Sequence, residues 1–142
     1  LGCELVLPED GLVAHEFKSG ARAHVFSTTH LPAEGMMLDI GPASIEAVKT
    51  KLGQVRTIVW NGPMGAFELD GFDKGTTAIA HEVSRLTRAG KLISVAGGGD
   101  TLAAVNKAGV ADTLTYVSTA GGAFLEWLEG KELPGVKVLE KH

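Results

Sequence analysis

Three glycine-rich segments carry the residues that could do chemistry in this sequence. The most informative is GGGDT at residues 97–101, which contains Asp100 and Thr101. Glycines let the backbone approach a ligand closely, and the N–H groups that open a following helix favour a phosphate. A carboxylate beside a phosphate is repelled unless a divalent cation lies between them, so Asp100 indicates a Mg²⁺–phosphate site. The alternative is a tight turn in which Asp100 only caps a helix.

The second segment is NGPMGAFE at residues 61–68. Pro63 fixes its own φ angle and the glycines permit positive φ, so the segment is predicted to be a rigid turn. Asn61 ends the preceding strand pattern and should face the ligand. Glu68 could accept hydrogen bonds from the hydroxyls of a ribose, as acidic residues do in other nucleotide folds. The alternative for Glu68 is a solvated carboxylate in the first turn of a helix.

The third segment is TAGGA at residues 119–123. Successive glycine N–H groups at a helix start could bind a phosphoryl group during its transfer. Close packing of a helix on a sheet also requires small residues, and this alternative stays open. The Walker A pattern and the G-x-G-x-x-G dinucleotide pattern are both missing from the sequence. The segments therefore do not predict a P-loop or a dinucleotide fingerprint.

Each segment follows a short run rich in β-branched residues and precedes a helical pattern. The runs are residues 57–60, 92–96 and 115–118, and their nearly continuous apolar character predicts strands covered on both faces. Shorter strands are predicted upstream, at residues 4–7, 12–17 and 23–26.

Helices are predicted from apolar spacing and from glycine stops. Ile79, Val83 and Leu86 share one face of a helix over residues 74–89, which Gly90 ends. Three other helices are predicted. The first has Ser44 as its N-cap and stops at Gly53, and the second begins at Asp100 or Thr101 and ends near Gly109. The third carries Phe124, Leu125 and Leu128 and stops at Gly130.

Alternating strands and helices predict parallel, right-handed βαβ crossovers. All three glycine-rich segments should then face one edge of one sheet, which is the usual ligand site of open α/β sheets. The sequence therefore predicts an α/β fold in which helices flank a parallel sheet, as a Rossmann-like three-layer sandwich.

Composition limits the possible functions. The 142 residues fit one domain, with 44% hydrophobic and 21% charged residues, as in globular proteins. A net charge of −4 disfavours a nucleic-acid partner, and no apolar run approaches the ~20 residues that cross a membrane. Cys3 is the one cysteine, so a reducing compartment is expected. A start at Leu1 instead of Met suggests processing or a fragment.

Taken together, the segments resemble phosphoglycerate kinase, specifically the latter part of its C-terminal, nucleotide-binding domain. WNGPMGAFE at residues 60–68 is similar to the family pattern W-N-G-P-[MV]-G-V-F-E, with Ala66 in place of valine. GGGDT matches G-G-G-D-[ST], and STAGGA at residues 118–123 is similar to S-T-G-G-G-A, with Ala120 in place of the first glycine. LDIGP at residues 38–42 and LEGKELPG at residues 128–135 also fit. The matches keep the family's order and span nearly the whole chain.

The resemblance implies a site for ATP or ADP with Mg²⁺. Leu38 would line the adenine pocket, and Asp100 would be the metal ligand. The implied nucleotide-binding residues are Leu38, Asn61, Gly62, Pro63, Glu68 (at the ribose), Gly98, Gly99, Asp100 and Thr101 (at the phosphates). Gly121 and Gly122 would be the catalytic positions, because their N–H groups would face the transferring phosphoryl group, and this pair should survive the change at Ala120.

The resemblance also implies an activity: reversible phosphoryl transfer in glycolysis between ATP and 3-phosphoglycerate, giving ADP and 1,3-bisphosphoglycerate. The parent would be a cytoplasmic monomer without nucleic-acid or membrane partners. The family's N-terminal domain binds 3-phosphoglycerate and would lie outside this sequence. The 142 residues are therefore expected to be an incomplete C-terminal domain of a two-domain kinase, inactive alone. The alternatives are a nucleotide-binding segment without chemistry and a fold fragment that self-associates through an exposed sheet edge.

Overall fold

The computed structural model of the chain describes residues 2–139, except the side chains of Phe124 and Leu139. This part of the chain contains two three-stranded sheets and five α-helices. The strands are β1 (Asp10–Ala14), β2 (Ala23–Ser27), β3 (Met36–Ile40), β4 (Thr57–Asn61), β5 (Ile93–Gly97) and β6 (Tyr116–Ser118). The helices are α1 (Pro42–Leu52), α2 (Lys74–Arg88), α3 (Gly99–Lys107), α4 (Gly122–Leu128) and α5 (Pro134–Leu139).

The three strands that precede the glycine-rich segments form a parallel sheet in the order β4-β5-β6. In its register Asn61 is paired with Gly97, and Gly97 with Ser118, so the strands end in one row. The α/β class, with a parallel sheet flanked by helices, is confirmed. The predicted common edge for the three segments is confirmed as well.

The main hydrophobic core lies on one face of the parallel sheet. Trp60 of β4 and Ala96 of β5 belong to the same buried cluster as Ile79 and Val83 of α2 and Val105 of α3. These side chains are less than a tenth exposed. The alternation of strand side chains places one residue in two on this face, and the amphipathic helix α2 supplies the partners.

The opposite face of the sheet is open among the described residues. Val59, Ile93 and Tyr116 lie on it and are 48%, 53% and 58% exposed. The prediction that these strands are covered on both faces is therefore wrong for the described part of the chain. An apolar pattern shows what a strand is suited to contact, whereas burial also requires a neighbouring element.

An antiparallel sheet in the order β2-β1-β3 is formed by the first half of the chain. Two of the predicted upstream strands are present, although β1 ends at Ala14 because the hairpin loop begins there. The strand predicted at residues 4–7 is absent: this segment pairs with no described strand, and Leu5 and Leu7 are exposed. Its apolar residues resemble a strand locally, but no neighbouring strand in the described residues bonds to it.

The start of α1 differs from the sequence prediction. Gly41, not Ser44, is the N-cap, and Pro42 is the first helical residue. The cap comes from β1 instead, since the carboxylate oxygens of Asp10 accept hydrogen bonds from Ser44 N (2.8 Å) and Ala43 N (3.0 Å). Buried Ser44 in turn donates its hydroxyl proton to Asp10. This remote cap joins α1 to the antiparallel sheet.

The helix ends agree with the glycine stops. Gly90 and Gly109 follow α2 and α3 with positive φ angles of 67° and 70°, and Gly130 follows α4 at 80°. A left-handed residue at this position ends a helix, and glycine adopts it without a steric penalty. None of the helices in residues 2–139 is both long and apolar enough to span a bilayer.

Candidate functional site

The three glycine-rich segments meet at the carboxyl edge of the parallel sheet. Asn61, Gly97 and Ser118 occupy one row of its register. Asn61 and Gly97 are the first residues of their segments, and the third segment begins directly after Ser118. Gly98 has a φ of 94°, and a Cβ there would lie 3.0 Å from Oδ1 of Asn61. The first two segments are thus in direct contact, and this position requires glycine.

Buried acceptors fix the loop that follows β4. Alternate N–H groups of the loop donate outward: Gly62 to Thr101 Oγ1 (2.6 Å), Met64 to Thr76 Oγ1 (3.0 Å) and Ala66 to the Leu38 carbonyl (2.7 Å). The indole N–H of Trp60 also donates to the Gly62 carbonyl (2.6 Å). The loop therefore has the fixed form that a rigid turn requires. These three N–H groups are engaged, so the loop offers a ligand its side chains and its remaining polar atoms.

Thr101 connects two of the segments. Its side chain is 1% exposed, and its hydroxyl accepts the Gly62 N–H. Its predicted contact with a phosphate stays a prediction. Thr76, the acceptor for Met64, has the same bridging role but was not identified from the sequence, since it lies inside a helical pattern with no distinguishing neighbour.

An open cleft of about 450 Å³ lies beside this loop. Leu38 and Pro63, both predicted site residues, form part of its wall. Phe17 and Met37 complete an apolar lining suited to a flat aromatic ring. Neither was predicted, because Phe17 comes from the β1–β2 hairpin loop and no motif links it to residues 61–68.

Asp39 is a buried carboxylate in the wall of the cleft. It is 2% exposed, and it accepts hydrogen bonds from Gly75 N (2.8 Å) and Ile40 N (2.9 Å). Burial raises the pKa of Asp39 above its ordinary value in spite of these bonds, and the nearby charge of Asp73 raises it further. A Cβ on Gly65 would lie 2.5 Å from Asp39 Oδ1. Asp39 thus joins β3, the loop and the start of α2, and Gly65 leaves room for it.

The N-terminus of α3 faces this edge with an exposed carboxylate. Gly98 is the N-cap and Gly99 the first helical residue, so the alternative that Asp100 caps the helix is wrong. Among the ion pairs of residues 2–139, none involves Asp100. The same residues contain no group of three or more His, Cys, Asp or Glu that could hold a metal. A cation here would need ligands beyond Asp100, such as phosphate oxygens.

The third segment places Gly121 as the N-cap of α4 and Gly122 as its first residue. A Cβ on either glycine would meet no described heavy atom within 4 Å, so the packing alternative finds no support. Gly121 has a φ of 58°. Positive φ occurs only at glycines in the described residues, so Ala120 fits this loop with an ordinary backbone.

Glu68 lies at the far end of the second segment. It is exposed and stands in a turn six residues before α2 begins at Lys74. The alternative that it occupies the first turn of a helix is therefore wrong. The structure brings Leu38, Pro63, Asn61, Gly62, Gly98 and Thr101 together through the contacts above, whereas no described contact joins the Glu68 side chain to them.

Comparison with known proteins identifies the family. The family model for phosphoglycerate kinase matches residues 1–131. The chain is similar to phosphoglycerate kinases of Agrobacterium fabrum (58% identical, covering 97% of this chain and 34% of that protein) and Rhodospirillum centenum (60%, covering 97% and 35%). The solved phosphoglycerate kinase of Coxiella burnetii is 44% identical with a TM-score of 0.84, over 94% of this chain and 33% of that one.

A more distant structure has the same fold: phosphoglycerate kinase from Pyrococcus horikoshii, at 30% identity and a TM-score of 0.76, over 94% of this chain and 32% of that one. The chain spans about a third of the length of the relatives it matches. With most of its residues matched in sequence and in fold, the chain belongs to the phosphoglycerate kinase family.

Proposed function

We propose that this chain provides the nucleotide site of a phosphoglycerate kinase, which transfers a phosphoryl group between ATP and 3-phosphoglycerate with Mg²⁺ and gives ADP and 1,3-bisphosphoglycerate. The observation that carries the proposal is the meeting of three glycine-rich segments at one sheet edge, beside an apolar cleft. Such an edge is where open α/β sheets bind ligands.

In this proposal the 142 residues are the latter part of a C-terminal nucleotide-binding domain. The chain covers about a third of its relatives, which supports this assignment. The 3-phosphoglycerate would bind to an N-terminal domain outside these residues. The segment alone would then lack the acceptor and be inactive, because phosphoryl transfer depends on positioning both partners.

The nucleotide would lie along the sheet edge. Its base would enter the cleft between Leu38 and Pro63, and Glu68 would accept hydrogen bonds from the ribose hydroxyls. The phosphates would lie at the N-terminus of α3, at Gly98, Gly99, Asp100 and Thr101, with Asn61 and Gly62 alongside. The partial positive charge of a helix N-terminus stabilises a phosphate there.

Asp100 would hold the Mg²⁺ together with phosphate oxygens. An exposed carboxylate that forms no described ion pair fits a metal that binds through one carboxylate and the nucleotide. When bound, the ion would neutralise phosphate charge. Gly121 and Gly122 would direct N–H groups at the phosphoryl group as it is transferred. One cysteine in 142 residues supports the cytoplasm as the compartment.

The test is Asp100→Asn in the full-length protein that carries this chain. We expect the affinity for Mg·ADP, measured by calorimetry, to fall about tenfold, since one charged ligand is lost. Affinity for ADP without metal should not fall, and thermal stability should stay unchanged because Asp100 is exposed. Asp112→Asn, at another exposed aspartate, is the matched control. An affinity for Mg·ADP that equals that of the wild type, with the same dependence on Mg²⁺, would contradict the proposal.

A second candidate, for the 142 residues made alone, is self-association. The open sheet face with Val59, Ile93 and Tyr116 favours it, because exposed apolar surface promotes contact between chains. In sedimentation experiments over a dilution series, the apparent molecular mass should decrease as the protein is diluted. The Ile93→Lys variant should have the mass of the monomer. A monomer at every concentration would discard this candidate.

A further inference from the structure

Lys107, the last residue of α3, reaches the loop that carries Glu68. Its Nζ donates a 2.7 Å hydrogen bond to the Phe67 carbonyl oxygen and lies 3.0 Å from Oδ2 of Asp73. The Phe67 carbonyl belongs to the peptide group whose nitrogen is that of Glu68. One ammonium group therefore fixes the peptide plane immediately before Glu68.

A second anchor holds the chain just after Glu68. Asp70 N donates to Ser19 Oγ (3.1 Å), and the Asp70 carbonyl accepts from Gly20 N (2.9 Å). Between these points the segment is held by local turn bonds such as Leu69 N to the Ala66 carbonyl. Glu68 thus lies between an anchor from α3 and an anchor from the β1–β2 hairpin.

The ion pair with Asp73 does not by itself explain the arrangement. The Lys107 side chain is 40% exposed and that of Asp73 28%, and partly exposed pairs contribute little to stability. The bond to a backbone carbonyl differs, because a charged donor gives a stronger hydrogen bond and sets the direction of one peptide group. The contact therefore restricts the orientation of the backbone from which the next side chain, that of Glu68, leaves the chain.

We propose that Lys107 is a positioning residue that holds Glu68 toward the ribose of the bound nucleotide. This inference rests on the proposed function, in which Glu68 accepts hydrogen bonds from the ribose hydroxyls. One helix then serves both parts of the ligand: the N-terminus of α3 faces the phosphates, and its last side chain aligns the ribose carboxylate. Because α3 is a rigid element, the two contacts keep a fixed separation.

The experiment measures affinity for two nucleotides, ADP and 2′,3′-dideoxy-ADP, in the full-length protein. Lys107→Met should weaken ADP binding about five- to tenfold and change dideoxy-ADP binding less than about twofold, since only ADP has ribose hydroxyls. Lys107→Arg keeps a charged donor and should restore ADP affinity to within about twofold of the wild type. A merely structural role would weaken both nucleotides equally.

Glu68→Gln separates failure of this inference from failure of the proposed function. If Glu68→Gln leaves ADP affinity unchanged, the ribose assignment in the proposed function is wrong. A second outcome is that Glu68→Gln weakens ADP binding while Lys107→Met either leaves ADP binding unchanged or weakens the binding of both nucleotides equally. In that case the role of Lys107 is wrong and the ribose assignment stands. If the ribose assignment and the role of Lys107 are both correct, the double variant of Glu68→Gln and Lys107→Met should bind ADP no more weakly than Glu68→Gln alone.

Two further variants isolate the carbonyl contact. Asp73→Asn removes the ion pair but keeps the bond to Phe67, so it should retain ADP affinity, and a loss equal to that of Lys107→Met would overturn the assignment. Lys91→Met removes an exposed lysine elsewhere and should have no effect. If Lys91→Met weakens ADP binding as much as Lys107→Met does, the effect comes from the loss of positive charge, and the proposed role of Lys107 is wrong.

Discussion

The backbone N–H of Gly62 donates a 2.6 Å hydrogen bond to the buried hydroxyl of Thr101. Gly62 follows β4, and Thr101 lies in the first turn of α3, so the bond joins the loop beside the apolar cleft to the predicted phosphate site. A displacement of either loop would therefore displace the other or break this hydrogen bond.

Thr101→Val should destabilise the protein. Valine keeps the shape but removes the acceptor of this partly buried N–H, which should cost about 1 kcal/mol, toward the low end of the cost of an unsatisfied donor. The free energy of unfolding in urea measures this loss. Thr101→Ser keeps the hydroxyl and should lose less. A Thr101→Val protein as stable as the wild type would show that the bond is dispensable.

Gly121→Ala should distort the third loop. Gly121 has φ 58° and ψ −136°, a conformation that costs a residue with a Cβ about 1–3 kcal/mol. A Cβ would meet no described atom within 4 Å, so the backbone alone would cause the effect. Melting temperature and turnover should both fall. Gly122→Ala is the matched control, because Gly122 has no positive φ, and it should keep the melting temperature; equal losses in both variants would refute the argument.

Asp10 should make stability fall in acid. Burial raises its pKa, but the hydrogen bonds from Ser44 and Ala43 outweigh burial and hold the pKa of Asp10 below its ordinary value. A lowered folded pKa gives stability that is present above about pH 4 and lost as the pH falls through the folded value.

Asp10→Ala should therefore lower the free energy of unfolding by about 1 kcal/mol at neutral pH, as loss of a helix cap does. The difference from the wild type should shrink below about pH 4, where the wild type loses the same bonds. Glu34→Ala, at an exposed carboxylate, is the control. A difference that persists unchanged in acid would contradict this account.

Asp39 should change the pH dependence of stability in the direction opposite to Asp10. Burial raises the pKa of Asp39, so the folded state holds the proton more tightly than the unfolded state. The wild type should therefore lose stability as the pH rises from about 4 through the folded value. The side chain in Asp39→Asn does not titrate at this position. As the pH rises, the urea midpoint of Asp39→Asn should therefore increase relative to that of the wild type. A difference independent of pH would rule out this effect.

Local signals in the sequence were sufficient for much of the fold. The β-branched runs before the glycines predicted β4, β5 and β6 to within one or two residues, and Gly90, Gly109 and Gly130 marked helix ends. These features depend on the conformational preferences of neighbouring residues, which the sequence displays directly. The common edge followed from the alternation of strands and helices, because it predicts parallel strands, and parallel strands end at the same edge of a sheet.

Contacts between distant residues could not be predicted in the same way. The Asp10 cap of α1 spans 34 residues, the bond from Lys107 to Phe67 spans 40, and Phe17 reaches the cleft from the β1–β2 hairpin loop. Each partner is an ordinary residue in its local context. The open face with Val59 and Ile93 was missed for a similar reason, since apolar character does not say whether a covering element is present.

Because the N–H groups of Gly62, Met64 and Ala66 are already bonded to protein acceptors, the loop after β4 loses its conformational entropy when the chain folds. An arriving nucleotide then meets a preorganised surface, so little ordering cost remains to oppose its affinity. Slow hydrogen exchange at these three amides in ligand-free protein would be the direct signature of that preorganisation.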